Sequence, residues 1–398
     1  MTNLFANILY SYPRLHRFLY EDTWAIPIDI FRILSGLLGL VYFISLYLEV
    51  KDFSSPQGLI NHQFMLEQFW WLKINLIQPG VTDNFFYAIL IIAMLGTLLL
   101  ILGVRTRLVA ALLFIIAACI QRWNFYVMYV DDAIMHLVFF WLILLPTGKS
   151  LNLIDYLRHG SEVIDKWKNQ RVPGLAMRCL LINICWIYFF AGITKLTSPL
   201  WLNGTALYAI LLLPISIAPD FWTPDHVPIL KFCSYFSIFI EVSLPFLLVS
   251  RRGSYTKWLS MVFVLMLNLG IALTLKIPYA NIALVASLVL FFRNELMQYL
   301  LNKKIIDEVA AGPKKLWTSQ IIAAVFLVIL IFSTLRDIPI LEKLSYPTTR
   351  FLWLGGIAQN YYLFNWIDRL NYHYDQSITF TDALSGETEN IDVNSILP

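Results

Sequence analysis

An all-α, polytopic integral membrane helical bundle is the fold class this 398-residue sequence predicts, and three observations predict it. Hydrophobic residues make up 59% of the chain and charged residues 14%, whereas soluble domains are roughly a quarter charged. Nine apolar runs approach the length of a bilayer crossing, which takes about 17–25 helical residues. Basic residues gather in every second loop between those runs, the pattern that orients membrane proteins. The lipid bilayer is therefore the expected partner. The net charge of +3 is spread over loops between apolar runs, so no nucleic-acid partner is expected.

Residues 1–24 mix Leu4, Phe5, Ile8, Phe18 and Leu19 with Arg14, His16 and Arg17, which reads as an amphipathic segment lying on the membrane. The apolar runs follow near 26–48, 84–103, 107–122, 132–148, 174–195, 228–250, 256–276, 279–293 and 317–335. The third, fourth and eighth are short, to be completed by flanking aromatics or held inside the bundle. Two more apolar stretches, 59–79 and 199–217, are broken by Pro, Asn or Gly. They read as interfacial or re-entrant segments, which are tolerated only against protein. The organisation is thus an interfacial segment at 1–24, a bundle at 25–335 and a tail at 336–398. In the tail, Ser377-Ile-Thr-Phe-Thr alternates as a strand should, and Leu384-Ser-Gly-Glu reads as a turn to a second strand, giving a short β hairpin.

Arg14 and Arg17, Arg105 and Arg107, Lys149 to Arg171, Arg251 to Lys257 and Arg293 to Lys315 occupy alternate loops. That pattern predicts a cytoplasmic N-terminus, an extracytoplasmic tail and an extracytoplasmic position for Lys195 at the end of its helix. The N-terminus lacks a charged-apolar-small cleavage pattern, so no cleaved signal peptide is expected. Cys119, Cys179, Cys185 and Cys233 lie inside apolar runs without a CxxC pair, which suggests neither a disulfide framework nor a zinc site.

Charged residues inside apolar runs mark candidate chemistry. Lys195 ends a long apolar helix, as either a snorkelling anchor or a functional amine. Arg32 lies inside the first run and needs a partner, with Glu241 or Asp29 the candidates. Glu241 lies mid-run and must be paired or protonated. Asp131 and Asp132 open the fourth run as N-terminal caps. His136, four residues beyond Asp132, shares its helix face.

The stretch Tyr188-Phe-Phe-Ala-Gly-Ile-Thr-Lys195-Leu, followed by Trp201 and Gly204, resembles a pattern of the vitamin K-dependent gamma-carboxylase and its bacterial relatives, the horizontally transferred transmembrane (HTTM) domain proteins. Phe31-Arg32-x-x-x-Gly36, the set Arg122, Asn124 and Asp131, the interval from His136 to Lys195, Glu241 with Pro245, and Gln359-Asn-Tyr-Tyr-Leu-Phe364 extend the likeness over residues 25–375. One departure stands out, because Asn268 occupies a position where the family usually has a histidine, and an amide cannot titrate near neutral pH. The resemblance implies a bacterial cell-membrane lyase using a reduced quinone of the vitamin K type, with O2 and CO2 as co-substrates. Lys195 and His136 would be catalytic, and Arg32, Arg122, Asp131, Trp201, Glu241 and Asn268 would contact the cofactor. The substrate would be an exported peptide or protein. A neutral Lys195 base requires an apolar pocket and no adjacent carboxylate, which would hold the ammonium charged. The alternatives are a non-carboxylating relative that matures an exported peptide or lipid, or a structural or transport protein. Against transport stands the lack of an inverted repeat.

Overall fold

A computed structural model describes residues 13–250, 253–302, 318–334, 342–355, 377–381 and 388–392. The Gln359–Phe364 motif and the turn at Leu384 lie outside the described residues. The chain is mostly helical. In order run α1 (Pro13–Tyr20), α2 (Ala25–Leu48), α3 (His62–Gln68), α4 (Asp83–Ile101), α5 (Thr106–Trp123), α6 (Val130–Leu144), α7 (Leu153–His159), α8 (Glu162–Asn169) and α9 (Leu175–Lys195). Beyond them come α10 (Pro199–Asn203), α11 (Ala206–Leu211), α12 (Val227–Leu248), α13 (Tyr255–Thr274), α14 (Pro278–Ala286), α15 (Leu288–Phe291), α16 (Arg293–Leu301), α17 (Thr318–Ser333) and α18 (Glu342–Leu354).

Among the described residues, six helices are long and apolar enough to cross a membrane: α2, α4, α5, α9, α12 and α13. A seventh counts if the pair Pro278–Phe291 and Arg293–Leu301, bent by 59°, is one span. The sequence reading of nine spans is therefore not met by helix length. The fourth run shrinks to the 15 residues of α6, about 22 Å of helix against a hydrocarbon core of about 30 Å. Its limits are local. Asp132 accepts a hydrogen bond from the Tyr129 backbone N–H at the start, and Pro146 holds Leu145 in an extended conformation at the end. Of the ninth run, the described residues form the 16-residue α17.

Two small sheets accompany the helices. β1 (Asp22–Trp24) pairs antiparallel with β2 (Arg171–Pro173), with Thr23 opposite Val172. It ties the starts of α2 and α9 together, and the Arg171 guanidinium lies 3.3 Å over the Trp24 ring. This sheet left no sequence signal, since each strand is only three residues long. β3 (Ser377–Thr381) and β4 (Thr388–Asp392) pair antiparallel, with Thr379 opposite Asn390.

The contacts sort the helix ends into two groups. At one end, Arg32 near the start of α2 reaches the carbonyls of Leu100 and Ile101 at the end of α4 and of Leu151 beyond α6. Gln320 at the start of α17 accepts from the Ala176 N–H at the start of α9. At the other end, Tyr42 on α2 donates to Asp132 at the start of α6, and Asp131 accepts from Ala280 in the first turn of α14. Trp201, just beyond α9, packs there in a cluster with Leu230, Leu275 and Ile277.

Candidate functional site

Tyr188, Gly192 and Lys195 stand at i, i+4 and i+7 of α9 and so share one face. That face meets α12. A Cβ at Gly192 would come 2.8 Å from the Val242 side chain and 3.0 Å from Glu241 Cβ, so only glycine allows this approach. It brings Lys195 Nζ within 2.5 Å of both Glu241 carboxylate oxygens. Both side chains are buried, at 6% and 7% exposure. One turn on, Pro245 lies inside α12 and has no N–H to give the Glu241 backbone carbonyl. The carboxylate therefore sits where its own helix is locally loosened.

Beyond Lys195 the chain breaks, as the Pro, Asn and Gly of 199–217 predict. Ser198 caps α10 through the Trp201 N–H, with Pro199 at the first helical position. Gly204 ends the helix in the left-handed region at φ 77°, a conformation other residues adopt at a cost. This short helix holds the buried Trp201 ring 4.7 Å from Lys195 Nζ, a cation–π contact. The Trp201 Nε1 is buried without a hydrogen-bond partner among the described residues. On the same face of α9, the Tyr188 hydroxyl accepts from Asn268 Nδ2 at 2.8 Å. Asn268 also donates to the Val264 carbonyl, so it serves as a hydrogen-bonding prop for Tyr188. Tyr188 is the site residue that sequence reasoning passed over, although its spacing of seven from Lys195 was readable.

The expectation of a lysine free of carboxylates is not met, because Glu241 is bonded to Lys195. The two candidates for pairing with Arg32 also resolve. Arg32 Nε bonds Asp29 Oδ1 at 2.9 Å, both side chains fully buried, and Glu241 takes no part. Lys195, Glu241 and Trp201 are thus brought together, with Asn268 one residue removed, while Arg32 lies at the opposite end.

His136 is fully buried and stacks on Phe114 at 4.1 Å. Val130 and Ile134 of α6 pack toward the Trp201 cluster. His136 is two residues beyond Ile134, about 200° around the helix, and its ring meets Phe114 of α5. Arg122 donates to the Ile74 carbonyl, tying the broken 59–79 stretch against the end of α5. His62 in that stretch stacks on Trp123 at 4.3 Å and bonds its carbonyl. Burial holds the His62 imidazole below its ordinary range.

Asp131 and Asp132 line a cavity of about 450 Å³ together with Tyr42, Glu49, Asn124 and Lys276. Asp131 accepts the Ala280 N–H at 2.7 Å, so it caps α14 as well as standing in the first turn of α6. Burial first, then Asp132 and Asp52, raise the Glu49 carboxyl above its ordinary range. None of the family models, curated proteins or solved structures compared matches this chain. Chemically, the Lys195 site can hold and move one proton in an apolar, aromatic setting.

Proposed function

We propose that this chain is a quinol-dependent, carboxylase-like integral membrane protein in which Lys195 and Glu241 act as one proton-transferring pair. The observation that carries this reading is the pair itself. Among the described residues each bonds only the other through its side chain, beside a buried indole N–H lacking an acceptor. When the proton passes from Nζ to the carboxylate, ammonium and carboxylate become amine and acid. The pair keeps zero net charge through that transfer, so no uncompensated charge is left in the apolar interior. Lys195 is then an amine able to take a quinol proton while Glu241 holds the first one, and the positive charge the pair gains is balanced by the quinolate left behind.

The unpartnered Trp201 Nε1 and the aromatic wall fit an oxygen-bearing ring compound. Trp201 would hold a quinol oxygen and Lys195 would receive the hydroxyl proton. A reduced quinone of the vitamin K type, with O2 and CO2 as co-substrates, supplies the strong base that carboxylating an extracytoplasmic peptide or protein requires. Burial of the pair keeps water from that base. The test is incorporation of labelled CO2 by the purified protein with reduced vitamin K, and none without it.

A second reading has its own support. The carboxylate beside Lys195 and the engagement of Asn268 by Tyr188 favour a non-carboxylating member that matures an exported peptide or lipid. Wild-type protein that incorporates no CO2, yet whose loss blocks maturation of a neighbouring gene's exported peptide, would establish it.

The orientation belongs to the same proposal. Nine passages alternate between the two groups of helix ends, the short α6 and α17 crossing inside the bundle. Pairing of β1 with β2 sets the starts of α2 and α9 side by side, which calls for an even number of crossings between them. With α2, α4 and α5 counted, α6 is the fourth. The basic group of ends would be cytoplasmic. Cysteine labelling at Ser161 and Ser385 should then occur from opposite sides; labelling from one side overturns the count.

A further inference from the structure

The cavity of about 450 Å³ at the Asp132 end of the bundle takes no part in the chemistry at Lys195, and carboxylates dominate its lining. Glu49 directly follows α2, and Asp131 and Asp132 stand in the first turn of α6. Asp132 accepts from the Tyr42 hydroxyl and the Tyr129 N–H, and Asp131 accepts from the Ala280 N–H. These donors are all neutral. Among the described residues no ion pair reaches Glu49, Asp131 or Asp132, so the three carboxylates lack a counter-ion. The cation in the lining, Lys276, is exposed and donates instead to the Pro214 carbonyl at 3.0 Å.

A second observation comes from a neutral side chain in the same lining. Asn124 is 7% exposed, and its Nδ2 donates to Ser54 Oγ at 2.9 Å. That bond orients the amide and leaves Oδ1 buried without a hydrogen-bond partner among the described residues. Buried acceptors are nearly always met by a donor, so this one calls for a donor from outside the fold. Tyr42, Phe53, Tyr129 and Tyr279 add aromatic walls, and aromatic faces attract ammonium groups.

Together these features select a cation that donates hydrogen bonds. Among the described residues no group of three His, Cys, Asp or Glu side chains could hold a metal ion. The volume, in contrast, falls in the range of about 300–1,000 Å³ that suits organic ligands. We propose that this cavity binds an organic ammonium group, its charge balanced by Glu49, Asp131 and Asp132 and one N–H donated to Asn124 Oδ1. A free alkylamine and the lysyl side chain of a peptide carry the same group, and the test separates them. The assignment is independent of the chemistry at Lys195.

The test is isothermal titration calorimetry of the full chain in detergent with n-butylammonium, n-butanol and Nα-acetyl-lysine amide. Wild-type protein should bind butylammonium about tenfold more tightly than the neutral alcohol. Glu49→Gln should weaken butylammonium about fivefold and Lys276→Met should tighten it about threefold, since one removes an attracting charge and the other a repelling one. Both residues are exposed, so neither change disturbs the core. Tighter binding of the lysine amide than of butylammonium assigns the site to a peptide side chain, and weaker binding assigns it to a free amine. No saturable binding of butylammonium, equal affinity for butanol, or an affinity unchanged in Glu49→Gln or in Lys276→Met would each overturn the assignment.

Discussion

Two buried ion pairs sit at opposite ends of the bundle, and they are built differently. Asp29 and Arg32 lie one turn apart on α2 and are saturated with partners. The Asp29 oxygens accept from the Gly148 and Ser150 backbone N–H groups and the Ser150 hydroxyl, while Arg32 donates to three backbone carbonyls besides Asp29. Lys195 and Glu241 come from separate helices, and their side chains bond only one another among the described residues. A guanidinium cannot lose its proton in a protein, whereas a lysine amine can. The first pair is therefore a clamp joining α2, the end of α4 and the chain after α6. In the proposed reading, the second holds a proton that can move.

Breaking the clamp should have the largest effect. Asp29→Asn leaves a buried guanidinium that cannot neutralise itself, at a cost of about 3–5 kcal/mol. The expected outcome is a large loss of thermal stability in detergent, or no folded protein. A variant melting within a degree or two of wild type would erase the contrast between the pairs. Lys195→Met should cost less, about 1–3 kcal/mol, because Glu241 can take up a proton and become neutral. Adding Glu241→Leu should recover most of that loss, and a double variant worse than the sum of the singles would contradict it.

Smaller effects lie at the acidic end. Asp131→Ala removes the cap on α14 and should cost about 1 kcal/mol, read as a modest drop in melting temperature. At His62 the imidazole is held below its ordinary range, so the unfolded chain binds the proton more readily than the folded one. Its contribution to stability is present above about pH 6.5, the ordinary imidazole value, and is lost as pH falls through the lower folded value. His62→Gln should flatten the acid side of the melting curve; an unchanged slope would show that His62 does not titrate there.

The contrast between the pairs was half legible in the sequence. The apolar runs located α2, α4, α5, α9, α12 and α13, because long spans are written in composition. Arg32, Lys195 and Glu241 stood out as charges inside those runs. Which acid met which base could not be read. Asp29 is local to Arg32 at i+3, but Glu241 and Lys195 meet only because Gly192 lets α9 approach α12. His136 was placed on the face of Asp132, and its ring stacks on Phe114 of α5, a partner that helix spacing alone does not reveal. The β1–β2 pairing was illegible because three-residue strands carry no periodicity.

In the proposed function Lys195 is chemically active where Arg32 is structural. Lys195→Arg keeps the positive charge beside Glu241 but cannot supply a neutral amine. Its quinol-dependent incorporation of labelled CO2 should be compared with wild type, in preparations shown to be folded by their melting curves. A folded Lys195→Arg protein should show no incorporation, and incorporation at the wild-type rate would contradict a Lys195 base.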